Sequence, residues 1–320
     1  MAKEFRRGKK SSEIGVVFVL LAVLFWGISF ISTKVLLQEY PPVSIAFFRQ
    51  FIALFPLAGL FLVKKAYFKL RIITVFHMVV GSLFGVVLYF VFENTGMKYI
   101  SASGASIIVA TIPIFTLLID TLISRKKLAL RTLFLILCSW VGVYLVISAD
   151  GQPEGGADTL KGSLLVFCAM VSWIIYTMVT KRLSTQYSSL QMTSVQTLLS
   201  IPLFIPFVWR ERFFWHWPSG NAAVHFMFLG IFCSALAYVF FLYGISVLGP
   251  ALSSSYLNLI PLVTIATGTV FLGERLAPLQ YIGAFLILTS LGLISFFKLK
   301  RRRPVRIEAV LPEVQEKTGI

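Results

Sequence analysis

The sequence predicts an all-α integral membrane protein of ten transmembrane helices, arranged as two inverted five-helix repeats. Three observations lead there. Of 320 residues, 58% are hydrophobic and only 13% charged, too few polar side chains to coat a water-soluble surface. The apolar residues come in ten continuous runs, each near the roughly 20 residues needed to cross a bilayer core. The pattern of the first five runs then returns in the last five, about 148 residues further on.

Taken in order, residues 1–13 form a basic tail. Spans are expected at 14–37, 43–63, 72–93, 100–123 and 131–149, which make up the first repeat (14–149). An acidic, glycine-rich linker, ADGQPEGGADTLKG, covers the boundary at 150–161. The second repeat (162–298) holds spans at 162–181, 190–209, 223–245, 250–272 and 278–298, and a basic tail closes the chain at 299–320. The runs do not alternate, so they read as helices, which satisfy their own backbone in lipid. The first run is too long for a cleavable signal peptide and reads as a span.

Lysine and arginine placement orients the chain. With the N-terminus inside, the inner segments hold Lys3, Arg6, Arg7, Lys9, Lys10, Lys64, Lys65, Lys69, Arg71, Arg125, Lys126, Lys127, Arg131, Lys181, Arg182, the KLKRRR run and Arg306. The outer connections hold Lys98, Lys161, Arg210, Arg212 and Arg275. This bias puts both termini in the cytoplasm, at the cell (cytoplasmic) membrane. The net charge of +16 therefore reflects loops on the inner side and not a nucleic-acid surface. Cys138, Cys168 and Cys233 all fall within apolar runs without CxxC spacing, which argues against disulfides and a zinc site.

The duplication can be followed residue by residue. Trp26 and Lys34 match Trp173 and Lys181 at a spacing of 147, and Pro56 sits close to Pro202. Gly96 and Pro113 match Gly244 and Pro261 at 148, and Gly142 matches Gly292 at 150. Five spans per copy is an odd number, so the second copy enters the membrane upside down. Inverted repeats of this kind are the usual ground plan of alternating-access transporters.

Three stretches, LFWGISFISTKVL, ISASGASIIVATIPIFTLL and LGERLAPLQYIGAFLILTSLGL, resemble paired EamA domains of the drug/metabolite transporter superfamily. The resemblance covers about residues 14–298. It implies ten helices, with the first four of each repeat around a central cavity and the fifth of each peripheral. It also implies secondary transport, often export, of small metabolites such as amino acids. The chain departs from that pattern in one turn, where the first repeat has Lys126 and the second Glu274; Glu274 therefore reads as a turn and topology feature.

Candidate site residues follow from polarity inside the spans. Glu93 lies at the end of an apolar run, where an ionisable side chain is costly and usually faces a cavity or a partner. Its repeat counterpart is Phe241, so the shared architecture does not need it. It suits proton coupling or binding of a substrate ammonium; the alternative is a hydrated interfacial acid paired with Lys98 or Lys34. Lys34 can meet Glu93 or a substrate carboxylate, or snorkel to the interface. Arg49 has a side chain long enough to reach headgroups. Pro113 and Pro261 free the carbonyls of Val109 and Leu257, and paired breaks in corresponding spans point to a central site. Asn258 precedes its proline by about one turn and is placed for a polar ligand, and Ser106 lies beside the other break. Trp26, Trp173, Tyr89 and Tyr238 can wall the cavity.

HExxH, GxSxG and phosphate-loop patterns are absent, and His77, His216 and His225 make no cluster. The expectation is a transporter of a small molecule in the lipid bilayer, without cofactor and driven by protons or by the substrate's own gradient. An uncoupled facilitator and a non-transporting scaffold or receptor are the alternatives.

Overall fold

The computed structural model describes residues 2–64, 72–112, 114–115, 130–149, 156–183, 186–248, 253 and 256–301. Every regular element among them is helical. α1 (Ala2–Leu36) is followed by α2 (Pro42–Val63), and α3 (Ile72–Ser82) continues through a π-helical segment (Leu83–Leu88) into α4 (Tyr89–Gly96). α5 (Ala102–Val109), α6 (Leu130–Ser148), α7 (Gly156–Leu183) and α8 (Ser189–Val208) come next. α9 (Gly220–Met227) continues through a second π-helical segment (Phe228–Leu236) into α10 (Ala237–Leu248). A 3₁₀ turn (Leu257–Leu259), α11 (Ile260–Phe271) and α12 (Pro278–Arg301) complete the chain.

Seven helices are long and apolar enough to cross a membrane, and Leu257–Phe271 and Pro278–Ile294 are shorter apolar helices. With α5 as the described part of the fourth span, the order is that of a roughly ten-helix membrane protein. Large side chains such as Phe134, Tyr144, Phe271 and Phe285 lie exposed on the perimeter, as lipid-facing residues do. Two boundaries differ from the sequence expectation. The first helix takes in residues of the basic tail from Ala2 onward, and α7 starts at Gly156, inside the expected linker.

The packing has two-fold character. The first span packs on the eighth and ninth, and their counterparts repeat this as the sixth on the third and fourth. The second packs on the seventh, the fourth on the ninth and the fifth on the tenth. The second span begins at Pro42 beside the place where the seventh ends, because Glu211, just beyond Val208, hydrogen-bonds Ser44. The matched spans therefore run in opposite directions, which makes the repeat inverted.

Glycine sets the closest helix approaches. A Cβ at Gly96 would sit 2.7 Å from the Gly162 carbonyl oxygen, and one at Gly162 would sit 2.8 Å from that of Gly96. Only a residue without a side chain lets the third and sixth spans touch backbone to backbone. Gly244, the counterpart of Gly96, gives the same clearance to Val19 of the first span.

Candidate functional site

Between the repeats lies a cavity of about 60 Å³, lined by Trp26, Ser29, Phe30, Arg49, Tyr89, Phe90, Glu93, Val109, Ala110, Ile112, Trp173, Tyr238, Leu257 and Ile260. That is room for a few water molecules; a larger solute requires the walls to move. Its position follows from the two broken spans. At the fourth span α5 stops at Val109, and Thr111 N–H turns back to the Ile108 carbonyl at 3.0 Å. At the ninth, Pro261 lacks an N–H for the Leu257 carbonyl, and Ile260 N–H takes that acceptor in a 3₁₀ turn. Val109 and Leu257, the residues whose carbonyls the prolines would free, both line the cavity.

Four aromatic rings, two from each repeat, form a wall built on the matched pair Trp26 and Trp173. Trp26 meets Tyr238 edge-on with centroids 5.4 Å apart, and its counterpart Trp173 meets Tyr89 at 5.2 Å. The two tryptophans meet at 6.3 Å and 82°. Tyr89 and Tyr238 each follow a π-helical segment, and Trp26 Nε1 donates to the Cys233 carbonyl of the second segment at 3.0 Å. Such segments shift the side chains that follow them onto a new helix face.

The polar groups are not matched between the repeats. Glu93 is buried, and its Oε1 accepts a hydrogen bond from Tyr89 Oη at 2.6 Å. Arg49 is 2% exposed, donates from Nε to Ser234 Oγ at 2.9 Å and lays its guanidinium 4.1 Å from the centre of the Phe90 ring. Neither charge recurs in the second repeat. Phe241 stands opposite Glu93, and alignment on Pro56 and Pro202 puts Val195 opposite Arg49.

On one side of the bundle, carboxylates from the second repeat cap helix N-termini of the first. Glu274 accepts from the backbone N–H groups of Ala102 (2.8 Å) and Ser103 (3.1 Å) and from Ser103 Oγ (2.6 Å). Glu211 does the same for α2, accepting from Val43 N–H (3.3 Å), Ser44 N–H (2.6 Å) and Ser44 Oγ (2.8 Å). Each satisfies donors that a helix start leaves open, at the positive end of its dipole. Trp215 Nε1 donates to Ser44 Oγ at 2.8 Å, and Tyr40 Oη donates to the His216 carbonyl at 2.9 Å. Burial and the neighbouring Glu39 raise the Tyr40 phenol above its ordinary pKa, which keeps it a donor.

The structure gathers Glu93, Tyr89, Trp26, Trp173 and Tyr238 around this one cavity. It leaves the other candidates outside the lining. Lys34 is half-buried in the last turn of α1. Ser106 is buried and donates to the Ser103 carbonyl of its own helix at 2.8 Å. Pro261 is buried in the first turn of α11, and its neighbour Ile260 takes the wall position. Asn258 sits in the 3₁₀ turn with a buried Oδ1 that has no hydrogen-bond partner among the described residues. Pro113 lies outside the described residues. Glu93 bonds a neighbour one turn back and not Lys98, which is exposed.

Arg49 is the main correction to the sequence reading. It does not reach for headgroups, because it lies about two turns inside the second span and points into the protein. That depth, seven residues from Pro42 in a largely apolar run, was the available signal. The carboxylate caps had no comparable signal, since Glu211 and Glu274 lie 167 or more residues from the helices they cap.

The profile of the EamA-like transporter family matches this chain twice, at residues 13–148 and 160–296. An uncharacterized transporter of Archaeoglobus fulgidus is 29% identical over 283 residues, covering 87% of this chain and 97% of its own length. A Bacillus subtilis protein, uncharacterized transporter YvbV, is 28% identical over 278 residues, covering 85% and 88%. A probable amino-acid metabolite efflux pump of Escherichia coli is 24% identical over 304 residues, covering 91% and 97%. One solved crystal structure superposes with a TM-score of 0.63 over 90% of this chain and 99% of that one, at 16% identity, a likeness of fold. Two profile matches on two inverted repeats, in a chain of apolar helices, place it plainly: the protein belongs to the EamA-like transporter family.

Proposed function

We propose that this protein is a secondary transporter that moves small metabolites such as amino acids out of the cell across the cytoplasmic membrane, by alternating access and with proton coupling at Glu93. The observation that carries this reading is the meeting of two broken spans, one from each repeat, at a cavity holding a buried carboxylate. Inverted repeats supply two arrangements of similar energy, and discontinuous helices place polar groups at membrane depth without exposing them to lipid. Trp26, Trp173, Tyr89, Tyr238 and Glu93 are the substrate-facing residues. Asn258, Pro113, Pro261, Ser106 and Lys34 shape the breaks and the approach. The units that rock against each other are residues 14–149 and 162–298.

The acid-capped end is the outer one on the lysine and arginine count, with both termini in the cytoplasm. Its closure rests on hydrogen bonds between the repeats, including Glu211 to Ser44 and Glu274 to Ser103. Bonds of that kind exchange for water when the end opens, at a modest net cost. The efflux-pump name of the Escherichia coli relative supports the outward direction.

Purified protein in liposomes, offered a mixture of amino acids with and without a proton gradient, tests the reading. Uptake that rises with the gradient, and that loses this dependence in Glu93→Gln, is the expected result. Gradient-independent flux that survives the substitution makes the protein an uncoupled facilitator. The absence of flux for every solute overturns transport.

A further inference from the structure

The cavity contains one cationic and one anionic group, and neither has spent its bonding capacity on the protein. Arg49 is fixed by Ser234, which also receives Gln50 Nε2 at 3.5 Å, and by the face of Phe90. Its terminal N–H groups have no hydrogen-bond partner among the described residues, although a guanidinium offers five donors in a rigid fork. Glu93 is fixed by Tyr89 at one oxygen, which leaves the other open to the cavity. Among the described residues the two charges line the same space without touching. Each is tied to its own wall, and the two act on each other as opposite charges across the space. A buried guanidinium is costly unless its N–H groups are hydrogen-bonded, so the open fork is suited to an incoming anion.

We propose that Arg49 and Glu93 together recognise a zwitterion: the Arg49 fork takes a carboxylate, and Glu93 takes an ammonium group. The absence of both charges from the second repeat supports this, because the helices common to both repeats do not depend on them. The pairing also selects the class of ligand. A simple cation at Glu93 would leave Arg49 unpaired beside it, and a simple anion at Arg49 would do the same to Glu93. Only a ligand with both poles satisfies both walls. The rings of Trp26, Trp173, Tyr89 and Tyr238 suit the remainder, with apolar surface for a compact side chain and π-faces for the ammonium. Arg49 is thus a specificity-determining residue of the site that the transport reading places here, and the inference rests on that reading for the site's purpose but not for binding itself.

Calorimetric titration of the purified, detergent-solubilised protein tests the idea without requiring flux. The probes are L-valine, L-valinamide, which lacks the carboxylate, and isovalerate, which lacks the amine. Wild type is expected to bind valine at least about tenfold more tightly than either analogue, because each analogue leaves a buried charge unpaired. Arg49→Gln should erase the preference of valine over valinamide and keep that over isovalerate, and Glu93→Gln should do the reverse. That crosswise pattern is not the signature of a merely structural role. If Arg49→Gln does not fold, Arg49→Lys keeps the charge without the fork and should narrow the valine–valinamide gap alone. Equal binding of the three probes by wild type, no saturable binding of any of them, or uniform weakening in both variants overturns the proposal. Crosswise binding without flux in liposomes overturns transport and leaves the zwitterion site standing, while flux with uniform binding does the opposite.

Discussion

Glu93 and Arg49 are separated by 44 positions in the sequence and come from different spans, yet both are held rigidly against the same cavity. Rigidity at this scale comes from short contacts to neighbours: Tyr89 Oη one turn before Glu93, and Ser234 with Phe90 around Arg49. Tyr89→Phe keeps the ring in contact with Trp173 but removes the donor to the carboxylate. A hydrogen bond to a charged group contributes about 1.5 kcal/mol or more. Valine affinity should therefore fall roughly tenfold, as read by the same calorimetry. Trp26→Phe is the parallel test on the wall. It preserves the aromatic contact with Tyr238 and loses the Nε1 bond to Cys233, so the melting temperature should drop by a few degrees, matching about 1 kcal/mol.

Among the elements, helix ends and breaks matter more than helix interiors. The second and fourth spans start with donors that lipid cannot satisfy, and carboxylates from distant turns cap them. Glu274→Ala should destabilise the protein by about 1–2 kcal/mol, and Glu274→Gln, which keeps an acceptor but loses the charge, by less than that. Thermal unfolding of the purified variants gives the order directly; equal melting temperatures for wild type and Glu274→Ala would show that the cap adds nothing. The helix contact at Gly96 has less tolerance. Gly96→Ala pushes a methyl to within 2.7 Å of a carbonyl oxygen, so the third and sixth spans must separate, at about 1–3 kcal/mol. Melting should show a larger loss than for Glu274→Gln. Span positions and breaks were legible in the chain because they are local: apolar length, proline and glycine act within one or two turns. The π-helical segments at Leu83–Leu88 and Phe228–Leu236 were not. An extra residue in a helical turn is decided by what the neighbouring helix accepts, such as Tyr176 lying over Gly85.

For the whole molecule, the inverted repeat brings a broken span from each half to one cavity. Orientation at this scale is testable by thiol labelling in intact cells, in a background with Cys138, Cys168 and Cys233 replaced by alanine. Trp217 is 94% exposed on the acid-capped side. Trp217→Cys should react with a membrane-impermeant maleimide, and Thr318→Cys in the C-terminal tail should react only after the cells are opened. The reverse pattern would place the acid-capped end in the cytoplasm.

Sequence alone determined the membrane class, the count and order of the spans and the inverted duplication, because these depend on composition, run length and parity, which need no third dimension. It also pointed to Glu93, Trp26, Trp173, Tyr89 and Tyr238, since charge and aromatics deep in apolar runs are conspicuous wherever the chain goes. Tertiary structure alone decided that these five share one cavity with Arg49, that Lys34, Ser106 and Pro261 do not line it, and that Glu211 and Glu274 cap helices far away in sequence. The physical reason is the same in each case. A long side chain such as arginine has equal local freedom to reach lipid headgroups or a buried partner, and only the packing of the other spans, which sets where polar partners and open space lie, chooses between them.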